Sequence, residues 1–243
     1  MPEPSDVFEK TYRYYLDQIK GFNPEALKQK LGVEVQNDEV VIPLYGKPYR
    51  VSENWIIDPS GKQPPLEISV ILFKYLLLCP DTDPTGKDWV SYRDLKDSGP
   101  LTVYFANDVE RAIAGHFKGA LGGFEEAGKT LGGYRPDIDV SYDLSMQFDA
   151  LPKVPVIVLF NDADDEFPAQ CSLLFERRAE SYLDAECLAM IRDNGVETVQ
   201  GNHDALIAAL DAIEGLSVQS VSVVSAEPAH TMQLSVDIMG NDK

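Results

Sequence analysis

Over residues 138–148 every second position is apolar: Ile138, Val140, Tyr142, Leu144, Met146 and Phe148 alternate with Asp139, Ser141, Asp143, Ser145 and Gln147. A period of two fits a strand with one wet and one dry face, and it fits no helix. The run 154–160 that follows is apolar on both faces, as in a strand inside a covered sheet, with Pro155 tolerable only near its beginning. A third run covers 169–175, so 138–175 predicts an antiparallel meander whose second connection is 161–168. A chain holding this meander cannot be all-helical. Helical patterns on both sides of it make the expected class α+β, an antiparallel sheet packed by helices.

Those helical patterns are regular. After Ser5, a good N-cap, residues 6–20 place Phe8, Tyr12, Tyr15, Leu16 and Ile19 on one face, and Gly21 stops the helix. Pro24 starts a short helix through Leu31. Short β-rich runs at 39–45 and 49–57, separated by Gly46 and Pro48, predict a small antiparallel unit. The segment 66–79 is apolar nearly all round, so it should be the most buried helix. A loop over 80–86 leads to Trp89 and Tyr92, and 102–118 again carries helical spacing through Phe105, Val109, Ile113 and Phe117. Gly119, Gly122, Gly123, Gly128, Gly132 and Gly133 then argue for close backbone approach or for turns around a short helix at 125–129. Short helices near 178–183 and 185–193 would close a main domain of residues 1–195. Residues 196–243 read as an αββ extension, half of a ferredoxin-like unit: a helix capped by Asn202, then strands at 218–224 and 232–238. Some 48 residues are too few to bury a core alone, so the extension should pack on the main domain or form a homodimer through 196–243.

Composition narrows the partners. Against 40 Asp and Glu stand 21 Lys and Arg, a formal charge of -19, so nucleic acid and anionic membranes are excluded as partners on electrostatic grounds. Cys79, Cys171 and Cys187 are far apart and odd in number, so neither a disulfide framework nor a thiolate metal site is encoded. A reducing compartment follows, and with no basic, apolar leader at the start the expected location is cytoplasmic. The most apolar run, 70–79, is about half the roughly 20 residues a bilayer requires.

Three constellations can carry chemistry. In the loop 161–168, Asp162, Asp164, Asp165 and Glu166 form a candidate divalent-cation site: if the loop is extended, Asp162, Asp164 and Glu166 project to one side. The competing readings are a solvated hairpin loop, or Glu166 turned inward beside Phe167. His116, near the end of its helix and before the glycines, is a candidate axial ligand to haem or cobalt, with Gly132 and Gly133 admitting a flat macrocycle; a histidine there is more commonly structural. Trp89, Tyr92 and Tyr134 are candidates for lining an apolar pocket, or else belong to core and rim. No G-x-G-x-x-G and no G-x-S-x-G elbow is present, and the G-K-T at 128–130 follows no strand pattern, so nucleotide and hydrolase chemistry are not supported.

The stretch LPKVPVIVLFNDADDEFPAQCSLLFERRAESYLDAECLAM at 151–190, with WVSYRDL at 89–95 and LGG at 131–133, resembles the uncharacterised domain-of-unknown-function family 3786 of anaerobic bacteria and archaea. The resemblance covers most of residues 1–193. Some of its members look fused to an iron–sulfur domain of the kind found in corrinoid iron–sulfur proteins. The resemblance points toward anaerobic one-carbon or tetrapyrrole metabolism; with the apolar, glycine-lined region near His116, the expected function is accessory and non-catalytic, binding a corrinoid or other tetrapyrrole, with His116, Trp89, Tyr92, Gly132, Gly133 and Phe167 as the candidate contacts. With no cysteine cluster in this chain, any redox role would need a separate protein partner. The alternatives are a protein-interaction module that dimerises through its extension, and a metal-dependent enzyme built on the acidic loop.

Overall fold

The computed structural model describes residues 6–191, 218–225 and 233–238. The chain begins with α1 (Asp6–Ile19) and α2 (Pro24–Leu31). The Asn23 side chain accepts from the Glu25 and Ala26 amides and caps α2, and Gly32 ends it in the left-handed conformation. A four-stranded antiparallel sheet follows in simple order: β1 (Glu34–Gln36), β2 (Glu39–Leu44), β3 (Lys47–Val51) and β4 (Ile56–Ile57). Its first two hairpins turn through residue pairs with positive φ, Asn37–Asp38 and Tyr45–Gly46, the twist that suits a two-residue connection. The helix expected to be most buried is α3 (Leu66–Leu77), with Ile71, Leu72, Phe73 and Tyr75 fully enclosed.

The second sheet is also antiparallel, in the order β5 (Trp89–Ser91), β8 (Gln170–Glu176), β7 (Val154–Asn161), β6 (Leu144–Leu151). The meander β6–β7–β8 is the one its alternation predicts. Its first strand, however, begins at Leu144 rather than Ile138. Leu144 pairs with Phe160, and one residue beyond, Asn161 and Asp143 exchange the ladder for side chains: Asp143 N–H donates to Asn161 Oδ1, and Asp162 N–H donates to Asp143 Oδ2. With its partner strand ended, 138–143 has nothing to pair with, and Val140 and Tyr142 are exposed despite their perfect alternation.

One face of this sheet, carrying Met146, Phe148, Val156, Phe160, Leu173 and Phe175, is buried under helices. The covering helix is continuous from Thr102 to Phe117 but not uniform: α4 (Thr102–Tyr104), a π-helical segment (Phe105–Glu110) and α5 (Arg111–Phe117). Phe105, Val109, Ile113 and Phe117, all buried, recur every fourth residue. In a regular α-helix, at about 100° per residue, Phe117 would have drifted about 120° around the axis from Phe105. The extra residue of a π turn takes most of that drift back, so both rings reach the sheet. Phe105 stacks on Tyr92 at 4.1 Å, and Phe117 stacks on Phe124 at 4.1 Å.

After α5 comes α6 (Leu121–Thr130), longer than the helix expected at 125–129. A 3-10 turn (Arg177–Ser181) and a helix over 185–191 close the domain. Further on, β9 (Val218–Ser225) and β10 (Gln233–Ile238) pair antiparallel, with Val221 opposite Val236. The expected helix after Asn202 and the boundary at 195/196 lie outside the described residues. Among the described residues no helix is long and apolar enough to cross a membrane.

Candidate functional site

The second sheet has a gap on one side. Strand β5 stops at Ser91, where Ser91 Oγ donates to Asp94 Oδ2 at 2.5 Å and the chain turns into a 3-10 segment, Tyr92–Asp94. Because β5 reaches only as far as Leu174, the first half of β8 has no strand beside it. The π segment occupies that side instead: the Leu173 N–H donates to Glu110 Oε1 at 3.0 Å, a bond that joins positions 63 residues apart. A carboxylate here replaces a ladder carbonyl, and a charged acceptor holds an amide more strongly than a neutral one.

Two cavities flank this bond, of about 360 Å³ and about 540 Å³, each within the range of small-molecule sites. Ala106, Glu110 and Ser172 line both. The smaller cavity adds Tyr92, Arg93 and Tyr142, and the larger adds Arg111, Pro168 and Gln170. Among the described residues Arg93, Arg111 and Arg135 form no ion pair, although Arg93 is close enough to Asp94 to help lower its carboxyl, whereas Arg13, Arg50, Arg177 and Arg178 each sit on a carboxylate. Four large apolar residues exposed around the cleft, Val103, Tyr104, Tyr142 and Phe167, line it or adjoin lining residues in the chain.

The sequence-predicted residues fall in separate places. Tyr92 lies in the cleft, but its hydroxyl donates to the Ala185 carbonyl at 2.8 Å, and burial with the nearby Glu186 and Asp184 charges pushes its pKa up to about 12. It is a wall, not an acid. Trp89 belongs to β5, at one edge of the sheet. Gly132, Gly133 and Tyr134 lie beyond β6, at the other edge, where Tyr134 is four strand spacings or about 19 Å of backbone away. Trp89 and Tyr134 therefore do not share a pocket wall.

The glycines approach the protein's own sheet. A Cβ on Gly133 would meet Phe148 Cε1 at 2.7 Å and the Gly128 carbonyl at 2.8 Å, and one on Gly128 would meet Met146 Sδ at 2.6 Å. The close approach the sequence implies is that of α6 and its following turn onto β6. Gly132 supplies the left-handed turn at φ 76°. His116 is half-buried at the end of α5, edge-on to Phe117 at 4.6 Å, with Nε2 enclosed by protein. Axial ligation through Nε2 needs that nitrogen open to a metal, so this arrangement does not fit a macrocycle bound through His116 Nε2.

The acidic loop is bent, not extended. Asp162 Oδ1 accepts from the Gly119 amide at 2.8 Å and the Ala163 amide at 2.7 Å, tying the loop to the end of α5. Asp164 Oδ1 accepts from the Glu166 and Phe167 amides at 2.8 and 2.6 Å, bonds that hold its carboxyl below the usual range. Glu166 and Phe167 are exposed, so the inward turn of Glu166 is not what the loop adopts. Among the described residues no three His, Cys, Asp or Glu side chains form a metal-binding group. Nor is a thiolate at hand: burial raises the Cys187 thiol strongly, with Asp184 adding to the effect, and Cys171 is buried.

What sequence reasoning missed is the cleft itself. Arg93 lies inside the WVSYRDL segment that carries the resemblance, but Glu110 and Arg111 lie in a helical run that reads as ordinary. No curated protein and no solved structure matches this chain. Residues 23–198, well over half of it and the whole of the second sheet, match the family described as domain of unknown function (DUF3786), and the chain belongs to that family.

Proposed function

We propose that this domain is an accessory binding protein that holds a small organic ligand with an anionic group in the cleft beside Glu110. The observation that carries this reading is a pair of arginines, Arg93 and Arg111, lining two cavities that share a wall in a chain of charge -19. An arginine in a half-enclosed cleft suits bidentate recognition of carboxylate or phosphate. The π segment adds to it, since such irregular turns cluster at functional sites. The cofactor class proposed from the family context is a corrinoid or other tetrapyrrole. Peripheral anionic groups on the arginines, not axial ligation by His116, are how such a compound would be held.

The test is anaerobic titration of the full chain with haem and with cobalamin, followed by absorbance and by retention on desalting. The expected result is binding that survives His116→Ala and is lost in the Arg93→Gln, Arg111→Gln double variant. Failure of both compounds to be retained overturns the tetrapyrrole proposal, and binding that needs His116 but neither arginine overturns the placement in the cleft.

A second reading, homodimerisation through 196–243, has its own observation. The β9–β10 pair is a two-stranded sheet that lies against α6 through β9, and no further strand among the described residues extends it. Light scattering of the full chain against a chain ending at Asn194 tests it; two monomers would remove this reading.

A further inference from the structure

We infer that the cleft takes an elongated ligand with two anionic ends and a hydrogen-bond donor between them, lying across both cavities with Glu110 at its midpoint. This inference rests on the proposed ligand-binding role of the cleft and specifies the chemistry of what it binds. The two cavities are not independent pockets. They share Ala106, Glu110 and Ser172, two of which are small, so a single molecule can pass from one cavity to the other over Ala106 and Ser172. Each cavity has its own arginine, Arg93 in the smaller and Arg111 in the larger, and two arginines in cavities that share a wall match two separated anions better than one. Between them stands a carboxylate. Glu110 cannot swing away without giving up the Leu173 amide, so it presents a fixed acceptor at the centre of the site. An anionic group placed there would be repelled, whereas an amine or amide N–H would be accepted. The pattern from end to end is therefore cation, acceptor, cation, and its complement is anion, donor, anion.

The experiment uses calorimetric titration of the full chain with straight-chain α,ω-dicarboxylates from succinate to suberate, the monocarboxylates of equal length, and heptanedioate against 4-aminoheptanedioate. The expected result is an optimum in diacid length, with the best diacid binding at least tenfold more tightly than its monoacid, and a further gain from the central amine that disappears in Glu110→Gln. Arg93→Gln and Arg111→Gln should each reduce the diacid to the monoacid level. Equal binding of mono- and diacids that depends on a single arginine overturns the two-ended ligand and leaves the cleft reading standing. No binding of any of these probes, together with no response to haem or cobalamin, overturns both. A diacid preference that persists in both arginine variants places the site elsewhere and also overturns the inference.

Discussion

The two four-stranded sheets of this protein have the same antiparallel pairing and differ in how their strands end. In the first, β1 to β4 follow one another through tight turns, and each strand lies beside its sequence neighbour. In the second, the order β5-β8-β7-β6 brings a strand from before the long helix to the far side of the meander, stops it after three residues, and leaves a helix to finish its work. The first sheet is specified locally and is closed. The second is completed by a contact between distant residues, and the two cavities of the cleft lie there, larger than the small one at the first sheet. Irregularity here marks the place where backbone groups must be satisfied by side chains, and those side chains are available to a ligand.

The largest effect that separates the two regions should come from the core under the first sheet. Phe73 is fully buried, stacked on Tyr15 at 5.6 Å and edge-on to Tyr12 at 5.5 Å. Phe73→Ala should cost about 3–5 kcal/mol in denaturant unfolding, with no change in diacid or haem affinity of the protein that remains folded. A selective loss of affinity would show that the two regions are not separable in this sense. Next, Gly133→Ala should cost about 1–3 kcal/mol by overpacking, because its Cβ would meet the Gly128 carbonyl, which cannot rotate aside. A neutral result would mean that the turn after α6 is loosely seated on β6.

At the junction the effect is smaller and more specific. Glu110→Ala leaves the Leu173 amide without its acceptor and should cost about 1–3 kcal/mol, while Glu110→Gln, which retains an acceptor, should cost less. Amide hydrogen exchange should show Leu173 opening in the alanine variant before its neighbours on β7. If Leu173 stays protected, the helix does not complete the sheet in the way described.

Acid should act on the helix over 185–191. Burial alone would raise the Asp184 carboxyl, but the Cys187 amide and the Lys74 ammonium at 3.0 Å outweigh it and hold the pKa below the usual value. A depressed folded pKa gives stability that is fully present above the unfolded pKa, about 4, and is lost as pH falls through the folded value. Melting temperature should therefore drop below about pH 4, and Asp184→Asn should flatten that part of the profile. The smallest effect belongs to the acidic loop. Glu166→Gln should leave the melting temperature unchanged, whereas Asp164→Ala and Asp162→Ala should lower it, because those two carboxylates hold backbone amides. The opposite order would restore an inward Glu166.

Much of this was legible in the sequence wherever a local pattern decided the outcome. The period of α1, the start of α2 at Pro24, the apolar run of α3 and the break at Gly46 in the first sheet all act over a few positions. Misreadings came where a partner decided it. The alternation of 138–143 is a valid strand pattern with no strand to pair with, because β7 ends at Asn161. The aspartates of 162–164 look like ligands in one dimension, and in three dimensions they accept nearby amides. The π segment left a trace, four-residue spacing sustained from Phe105 to Phe117, which drifts around a regular helix and could have been read as one residue too many. The cleft left none, since Arg93, Glu110 and Ser172 meet only through the crossover of β5.

The helix α1 ends before residue 23, where the family match begins, yet it supplies Tyr12, Leu16 and Ile19 to the core. Its Tyr12 hydroxyl accepts the Ile56 amide at 2.8 Å, a buried donor on a strand two residues long. The stretch that matches the family and the stretch that builds this core are thus different lengths of chain. A fragment cut at the family boundary would keep every residue of the cleft and still expose Phe73, with the Ile56 amide opened to solvent, so the helix outside the match serves as a permanent intramolecular chaperone for the sheet within it.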